Sequence, residues 1–530
     1  MTKPRVIALV SILLSLSCSK KIESTLISRI FNLDSFGILI PDSNNIDSVR
    51  NNNSLINTTL DFIGKSGGGT LLLPEGIFYI GPIPGESREG IAIKFDNITL
   101  QGRGVNKTIL KTNGDYKIQD GKVFRGAGIK IYAPIYNKNC QDQRKNITLC
   151  DFELDGQSGF TGNHSFPADI SNGDGWDITH KGIIINDDGC LENVTLKNLY
   201  IHSFKGELLY TGGLSTGRIN VLNVKTGDTN ASCFNLHASE MTVNNCSFIG
   251  PAMMWMELTA RKGQGFNRKS NSYIINSQFV GPVTSNAGVS LVQGDSKEHN
   301  YSFLRNNFHN SSNGVFGFYG GVAGSIIIED NNLDSVGQAM YFGIAPGYLS
   351  DSKNKNIIFK NNKVSASGSF IQFYNRVENV TIKENVFRGI SQHSTAMIYG
   401  NCTMKNILVE NNIFYNCRVT EQNASLNGGK RPYFKKNKYI NPLFRDSQGK
   451  QVISNSNPKV KPISEFLQLY LDEIETIDID TLGINDGQIL QIEILNDKGP
   501  GQNLKNRNKE KNTIFYKYNE RKGKWILQQS

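Results

Sequence analysis

The chain has 530 residues and a formal charge of +10, with 38% hydrophobic and 20% charged residues. That is too apolar and too aromatic for a disordered protein, and after the N-terminus no apolar run approaches the ~18 residues needed to span a bilayer. Lys and Arg are scattered, with no basic helix and no zinc-finger spacing, so nucleic acid is not the expected partner; the densest basic stretch, Lys498 to Lys524, lies near the C-terminus. Glycine (52 residues) and paired asparagines dominate over proline (15 residues), which implies a chain that turns often and tightly and excludes long helical bundles.

The N-terminus reads as an export signal: Lys3 and Arg5, the apolar run Val6–Leu16, then Ser17-Cys18-Ser19. The segment resembles a bacterial lipoprotein lipobox with Cys18 as the acylated residue and Ser15 in place of the usual aliphatic side chain; a plain signal-peptidase site is the alternative. Lipidation would tether an exported, outer-membrane-anchored protein facing the periplasm or the cell surface. Residues 1–18 are then the signal, 19–30 a tether, 31–442 the main domain and 443–530 a small C-terminal cap or β-module. Of the remaining cysteines, an odd number, Cys246 and Cys417 sit in apolar repeats and read as core residues, and no Cys/His metal spacing is present.

A helix is predicted from Ser54 to Gly64, followed by the strand-forming Gly67-Gly-Gly-Thr-Leu-Leu-Leu-Pro-Glu-Gly-Ile-Phe-Tyr-Ile80 and by Asn97-Ile-Thr-Leu-Gln-Gly-Arg-Gly104. From Val194 onward one phrase recurs: a short alternating apolar run, one or two asparagines, then an aromatic or aliphatic residue. Its last position falls at Phe248, Phe279, Phe308, Leu333, Val364, Phe387, Phe414 and Tyr439. A second strand lies between successive asparagine turns, as in Cys233–His237, Met254–Leu258, Val315–Tyr319 and Phe370–Tyr374. Three short strands per ~25-residue repeat is the arithmetic of a right-handed parallel β-helix, in which stacked asparagine amides bond the turns of adjacent coils. After Pro442 the pattern stops; residues 463–475 look helical, with strands after them.

The glycine-rich first coil and the Asn97–Gly104 segment resemble the pectate-lyase superfamily over roughly residues 34–440, with the predicted helix capping the open core. The acidic pair usual before that helix is replaced by Asp42-Ser-Asn-Asn-Ile-Asp47. The resemblance implies that a polysaccharide lies along the sheet built from the second strand of each coil. Alternation then predicts which side chains line the groove: Asn235 and His237, then Trp255 and Glu257, with Asn186, Tyr210, Tyr319, Tyr341, Gln372, Tyr374, Arg376 and Tyr399 on other coils.

His237 is a natural base near neutral pH, Glu257 can raise its basicity, and Tyr210 can protonate a leaving glycosidic oxygen. Arg261 and Lys262 can neutralise a uronate carboxylate. The group that includes chondroitinase B and alginate lyases carries an acidic residue five before a lysine on this sheet, a spacing that Glu257 and Lys262 match. The arginine expected one coil later is absent from Gly288–Asp295, and so are the calcium-pectate-lyase and polygalacturonase signatures, so no catalytic set transfers whole. The loop between Leu154 and Leu199 holds Asp155, His164, Asp169, Trp176, His180, Asp187 and Asp188, with Asp174-Gly-Trp-Asp177 as a candidate calcium site lacking the EF-hand register.

The expectation is a monomeric polysaccharide lyase acting on an acidic glycan by β-elimination, with catalytic candidates His237, Glu257, Tyr210 and Arg261. Lys262, Trp255, Asn235, Tyr319, Tyr341, Tyr374 and Arg376 are its substrate-binding candidates. The alternatives are a glycoside hydrolase pairing Glu257 with Asp295 or Asp187, and a non-catalytic glycan-binding β-helix.

Overall fold

The computed structural model describes residues 29–83, 86–87, 89–112, 126–134, 142–158, 180–185, 189–212, 216–259, 270–292, 299–319, 324–343, 353–374, 376–399, 403–417, 421–422 and 432–440, and beyond 450 a set of strands by their backbone. Short parallel strands wind as a solenoid, a right-handed parallel β-helix. Each coil gives two strands to a larger sheet and one to a second sheet of twelve strands, and each strand pairs with its equivalent one coil away. Asn271–Ile275 lies between Glu240–Asn244 and Asn300–Leu304, and Gln278–Val280 lies between Ser247–Ile249 and Asn307–His309.

The eight apolar positions that mark the repeat are direct register partners, from Phe248↔Phe279 through to Phe414↔Tyr439. Their rings stack inside the coil, Phe248 on Phe279 and Phe279 on Phe308 at 4.5 Å each, and Phe387 on Phe414 at 4.9 Å. Stacked apolar columns of this kind make up a continuous core in which each coil buries its neighbours.

The asparagine pairs divide two tasks. The first residue of each turn takes a left-handed backbone, at Asn245, Asn276, Asn361 and Asn411 for example, where asparagine is tolerated better than most side chains. The second is buried and bonds along the stack. Oδ1 of Asn362 accepts from Asn331 N at 2.9 Å and Oδ1 of Asn385 accepts from Asn362 N at 2.8 Å, and the series runs from Asn306 to Asn437. The amide nitrogens complete it by donating to main-chain carbonyls, Asn362 Nδ2 to Ile328 O at 2.9 Å. A buried amide satisfied on both sides stabilises the turn rather than burdening it.

The helix spans Ile46–Lys65, eight residues longer at its start than the sequence suggests, with Asn45 capping Ser48 N at 2.9 Å. Its apolar face (Val49, Ile56, Leu60, Ile63) covers the open end of the core. Three of its asparagines serve the first coils: Asn53 bonds both N and O of Gly81 at 3.2 and 2.7 Å, Asn57 bonds Ala92 N and Gly90 O, and Asn52 bonds Ile40 and Tyr79. Backbone groups that a further coil would have paired are thus satisfied by side chains.

Beyond 450 the strands Lys450–Ile453, Phe466–Leu471, Ile489–Leu495, Asn512–Asn519 and Lys524–Gln528 form one sheet. The helix expected at 463–475 is therefore a strand over Phe466–Leu471, paired in parallel with both Lys450–Ile453 and Ile489–Leu495. The period-two series Leu467, Leu469, Leu471 prevailed over the helix-like charges that follow it. Cys150, Cys233, Cys246 and Cys417 are buried free thiols, as expected for Cys246 and Cys417, whereas Cys190 is disulfide-bonded. No helix among the described residues is long and apolar enough to cross a membrane.

Candidate functional site on the twelve-stranded sheet

Register places the candidate side chains directly. Ile184, Tyr210, Asn235, Glu257, Ser290, Gly317, Tyr341 and Gln372 are successive partners across adjacent strands and form one outward row. His237 follows Leu236, whose partner is Leu258, so it stands on the same face as Glu257, diagonal to it at the ~7–8 Å typical of such neighbours. The rings of Tyr210 and His237 have centroids 6.3 Å apart. His237, Tyr210 and Glu257 are half-buried, and Asn235, between Tyr210 and Glu257, is 4% exposed. His237 is further fixed by its backbone, whose N–H donates to Thr211 Oγ1 at 2.5 Å. The structure thus brings together His237, Tyr210, Glu257 and Asn235.

Two charged residues join them that sequence reasoning missed. Lys181 and Glu207, both buried, are joined by an ion pair, and Lys181 Nζ lies 4.2 Å from the centroid of the Tyr210 ring. Removing one partner alone would strand the other charge out of water. Their signal was readable: Lys181-Gly-Ile-Ile-Ile and Glu207-Leu-Leu-Tyr open equivalent strands of adjacent coils with opposite charges. Further along the row toward the N-terminal coils, Lys130 partners Ile184 and lies 4.6 Å from the Tyr132 ring, whose hydroxyl donates to Glu89 at 2.7 Å.

Trp255 is not a groove residue. It is fully buried, with its ring against Phe279 and Phe308 at 5.6 and 5.9 Å. Both Trp255 and Met256 point into the core, because alternation slips where the strand leaves the corner of the coil. Arg376 is also displaced: it opens the strand Arg376–Lys383 of the larger sheet, partnered with Lys353, and is exposed there. Tyr319, Tyr341 and Tyr374 do face outward, on three successive coils.

Asp155 faces away from this groove, on the larger sheet, 3.9 Å from Lys111 and 3.8 Å from His202. His180 is sealed inside, its Nε2 2.7 Å from Thr112 Oγ1 and its ring packed on Phe204; burial above all, with Lys205 adding to it, pushes its pKa well down. Arg261, Lys262, Asn186, His164, Trp176, Asp295 and the acidic loop with Asp169, Asp174, Asp177, Asp187 and Asp188 lie outside the described residues, as does Cys18. Among the described residues no group of His, Cys, Asp and Glu is arranged to hold a metal ion.

Three solved structures share this coil geometry. The A-module of the mannuronan C-5 epimerase AlgE6 from Azotobacter vinelandii superposes with a TM-score of 0.50 at 14% identity, covering 77% of this chain and 99% of that one. The Agl-KA catalytic domain gives 0.51 at 13% identity, covering 78% and 68%. The tailspike protein of E. coli bacteriophage HK620, in complex with a pentasaccharide, gives 0.50 at 13%, covering 92% and 83%. The fold is shared with all three.

In sequence, the chain is 28% identical over 181 residues to the mannuronan C5-epimerase AlgE1 of Azotobacter vinelandii, and 26% identical over 176 residues to AlgE6. Either match takes in 33% of this chain, but only 10% of AlgE1 and 17% of AlgE6, so the chain matches a small part of its curated relatives. No family model matches.

Proposed function

We propose that the protein is a polysaccharide lyase that acts on an acidic, uronate-containing polymer, with the Tyr210–His237–Glu257 cluster as its reaction centre. The observation that supports this reading most directly is the placement of a histidine and a tyrosine on one face of adjacent strands, 6.3 Å apart, beside a carboxylate. His237 takes the C5 proton of a bound uronate, and the electrons of that bond form the C4–C5 double bond. As the C4–O bond breaks, Tyr210 donates a proton to the departing oxygen. Glu257 supports the charge that forms on His237. Arg261 and Lys262, four and five residues beyond Glu257 in sequence, face the task of neutralising the uronate carboxylate, which is what makes the C5 proton removable.

Mannuronan C5-epimerases act at the same carbon. Return of a proton to C5 from the opposite face in place of C4–O cleavage is therefore the second reading, favoured by the sequence matches to AlgE1 and AlgE6. The groove occupies the outside of a protein whose Cys190 is oxidised, which suits the export and Cys18 anchoring proposed from the sequence.

The test is incubation with alginate, polygalacturonate and chondroitin, with and without EDTA, following ultraviolet absorbance of unsaturated ends, new reducing ends and the C5 configuration by NMR. Absorbance rising together with reducing ends is expected, and His237→Ala should reduce it by about a hundredfold or more. Epimerised product without unsaturated ends would replace the lyase by an epimerase. Reducing ends without absorbance would rule out C5 proton removal.

A further inference from the structure

On the C-terminal side of the reaction centre the groove changes character. Tyr319 partners Gly343 and Tyr341 partners Gln372, so Tyr319, Tyr341 and Tyr374 alternate between two outward rows on successive coils. Their centroids are 5.9 and 5.8 Å apart and their planes are tilted by 54° and 46°. Tyr319 and Tyr341 are half-buried, and Tyr374 is exposed.

Two glycines govern how these rings lie. A Cβ on Gly317 would stand 2.5 Å from Cε2 of Tyr319, and one on Gly343 would stand 2.2 Å from Cε1 of Tyr341. Each glycine is two residues from its tyrosine on the same strand, so each ring occupies the space that a side chain at the glycine would fill. Burial, and for each ring the next tyrosine along, pushes the phenols of Tyr319 and Tyr341 up, so both stay uncharged. Flat, neutral aromatic faces are surfaces on which a sugar ring can stack.

We propose that Tyr319, Tyr341 and Tyr374 form a run of sugar-stacking subsites that holds the polysaccharide on the coils C-terminal to His237 and Glu257 and sets a minimum substrate length. This rests on the groove assignment above, since the occupant is the same polymer continuing along the same sheet. Glu257, Ser290, Gly317 and Tyr341 are successive partners, which puts Tyr341 three strand spacings, ~14 Å, from Glu257, and Tyr374 one coil further. Because strand spacing is close to the length of one sugar unit, a trimer bound at the reaction centre extends at most to the first rings of the platform, whereas an octamer spans all three. Its contribution comes from ring faces rather than charge, so salt leaves it largely intact.

Binding and turnover are measured separately. Full-length His237→Ala protein is titrated calorimetrically with trimers and octamers of mannuronate, guluronate and galacturonate, at low and high salt. For at least one sugar the octamer should bind about tenfold more tightly than the trimer, with the ratio kept at high salt. Adding Tyr341→Ala should weaken octamer binding about threefold to tenfold. Gly343→Ala, which lifts the ring without removing it, should do the same with an unchanged circular dichroism spectrum, while Tyr341→Phe should keep most of the affinity.

Equal trimer and octamer affinities, octamer binding indifferent to Tyr341→Ala, or no binding to any oligomer would overturn the platform. Length-dependent, Tyr341-dependent binding without turnover by the unaltered protein would keep the platform and remove the reaction. Turnover with length-independent binding would do the reverse.

Discussion

Trp255 shows how a single residue can be misread when period two is applied without the corner of the coil. Its column, Cys233, Trp255, Val315, Ala339, Phe370 and Ala396, is buried throughout. The indole fits because the next coil offers Gly288, where a Cβ would stand 2.3 Å from Trp255 Cε3. A large side chain facing a glycine one coil away is a core signature, and it was readable at positions 255 and 288. Gly288→Ala should therefore cost about 1–3 kcal/mol through overpacking, seen as a lower urea midpoint with unchanged slope. An unchanged midpoint would mean that the ring has room to move. The Lys181–Glu207 pair shows in the sequence as opposite charges at equivalent positions of adjacent coils, but its burial does not, because charged residues at strand starts read as solvated and burial is a property of the assembled groove.

Among the elements, the solenoid strands were the most legible, because each repeat carries its own apolar and asparagine marks and the register follows from them. The helix was found, but its first turns were not. Arg50-Asn-Asn-Asn53 has poor intrinsic helix propensity, and only the coil beneath it explains why asparagines are there. Asn53→Ala would leave both N and O of Gly81 without their side-chain partner and is expected to destabilise the fold by about 2–4 kcal/mol. Hydrogen exchange should show the loss first in the strands Gly76–Ile80 and Glu89–Ile93. Uniform exchange over all coils would contradict a capping role. The strand at Phe466–Leu471 was misread because a short amphipathic run satisfies both periods, and its partners lie far away in sequence.

For the molecule as a whole, stability is tied to acid through a histidine that the solenoid encloses. His180 stays neutral when folded because burial holds its pKa well below the ordinary 6.5, while in the unfolded chain it protonates as usual. The unfolded state then binds more protons below 6.5, so this contribution to stability is present above that pH and is lost as pH falls through it. The melting temperature should drop between pH 7 and pH 5, and His180→Gln should narrow that drop. An identical pH profile in the variant would place the acid sensitivity elsewhere. The fold was legible at this scale because repetition writes the same constraint many times over. The reaction centre was only partly so, since it is written once.

The asparagine ladder has a consequence for chemical lifetime. Asparagine is where exposed proteins age, as the backbone nitrogen of the following residue attacks the side-chain amide, releases ammonia and leaves a carboxylate. In this solenoid that nitrogen is engaged after every ladder residue: Asn332 N donates to Asn306 O, Lys363 N to Asn331 O, Val386 N to Asn362 O, Ile413 N to Asn385 O and Lys438 N to Asn412 O, at 2.8–2.9 Å. The attacking group is tied to the previous coil, and the amide it would attack is held as well: in Asn362, Oδ1 accepts from Asn331 N and Nδ2 donates to Ile328 O on the previous coil and to Asn385 Oδ1 on the next. The ladder asparagines are thereby held in an arrangement that resists this loss.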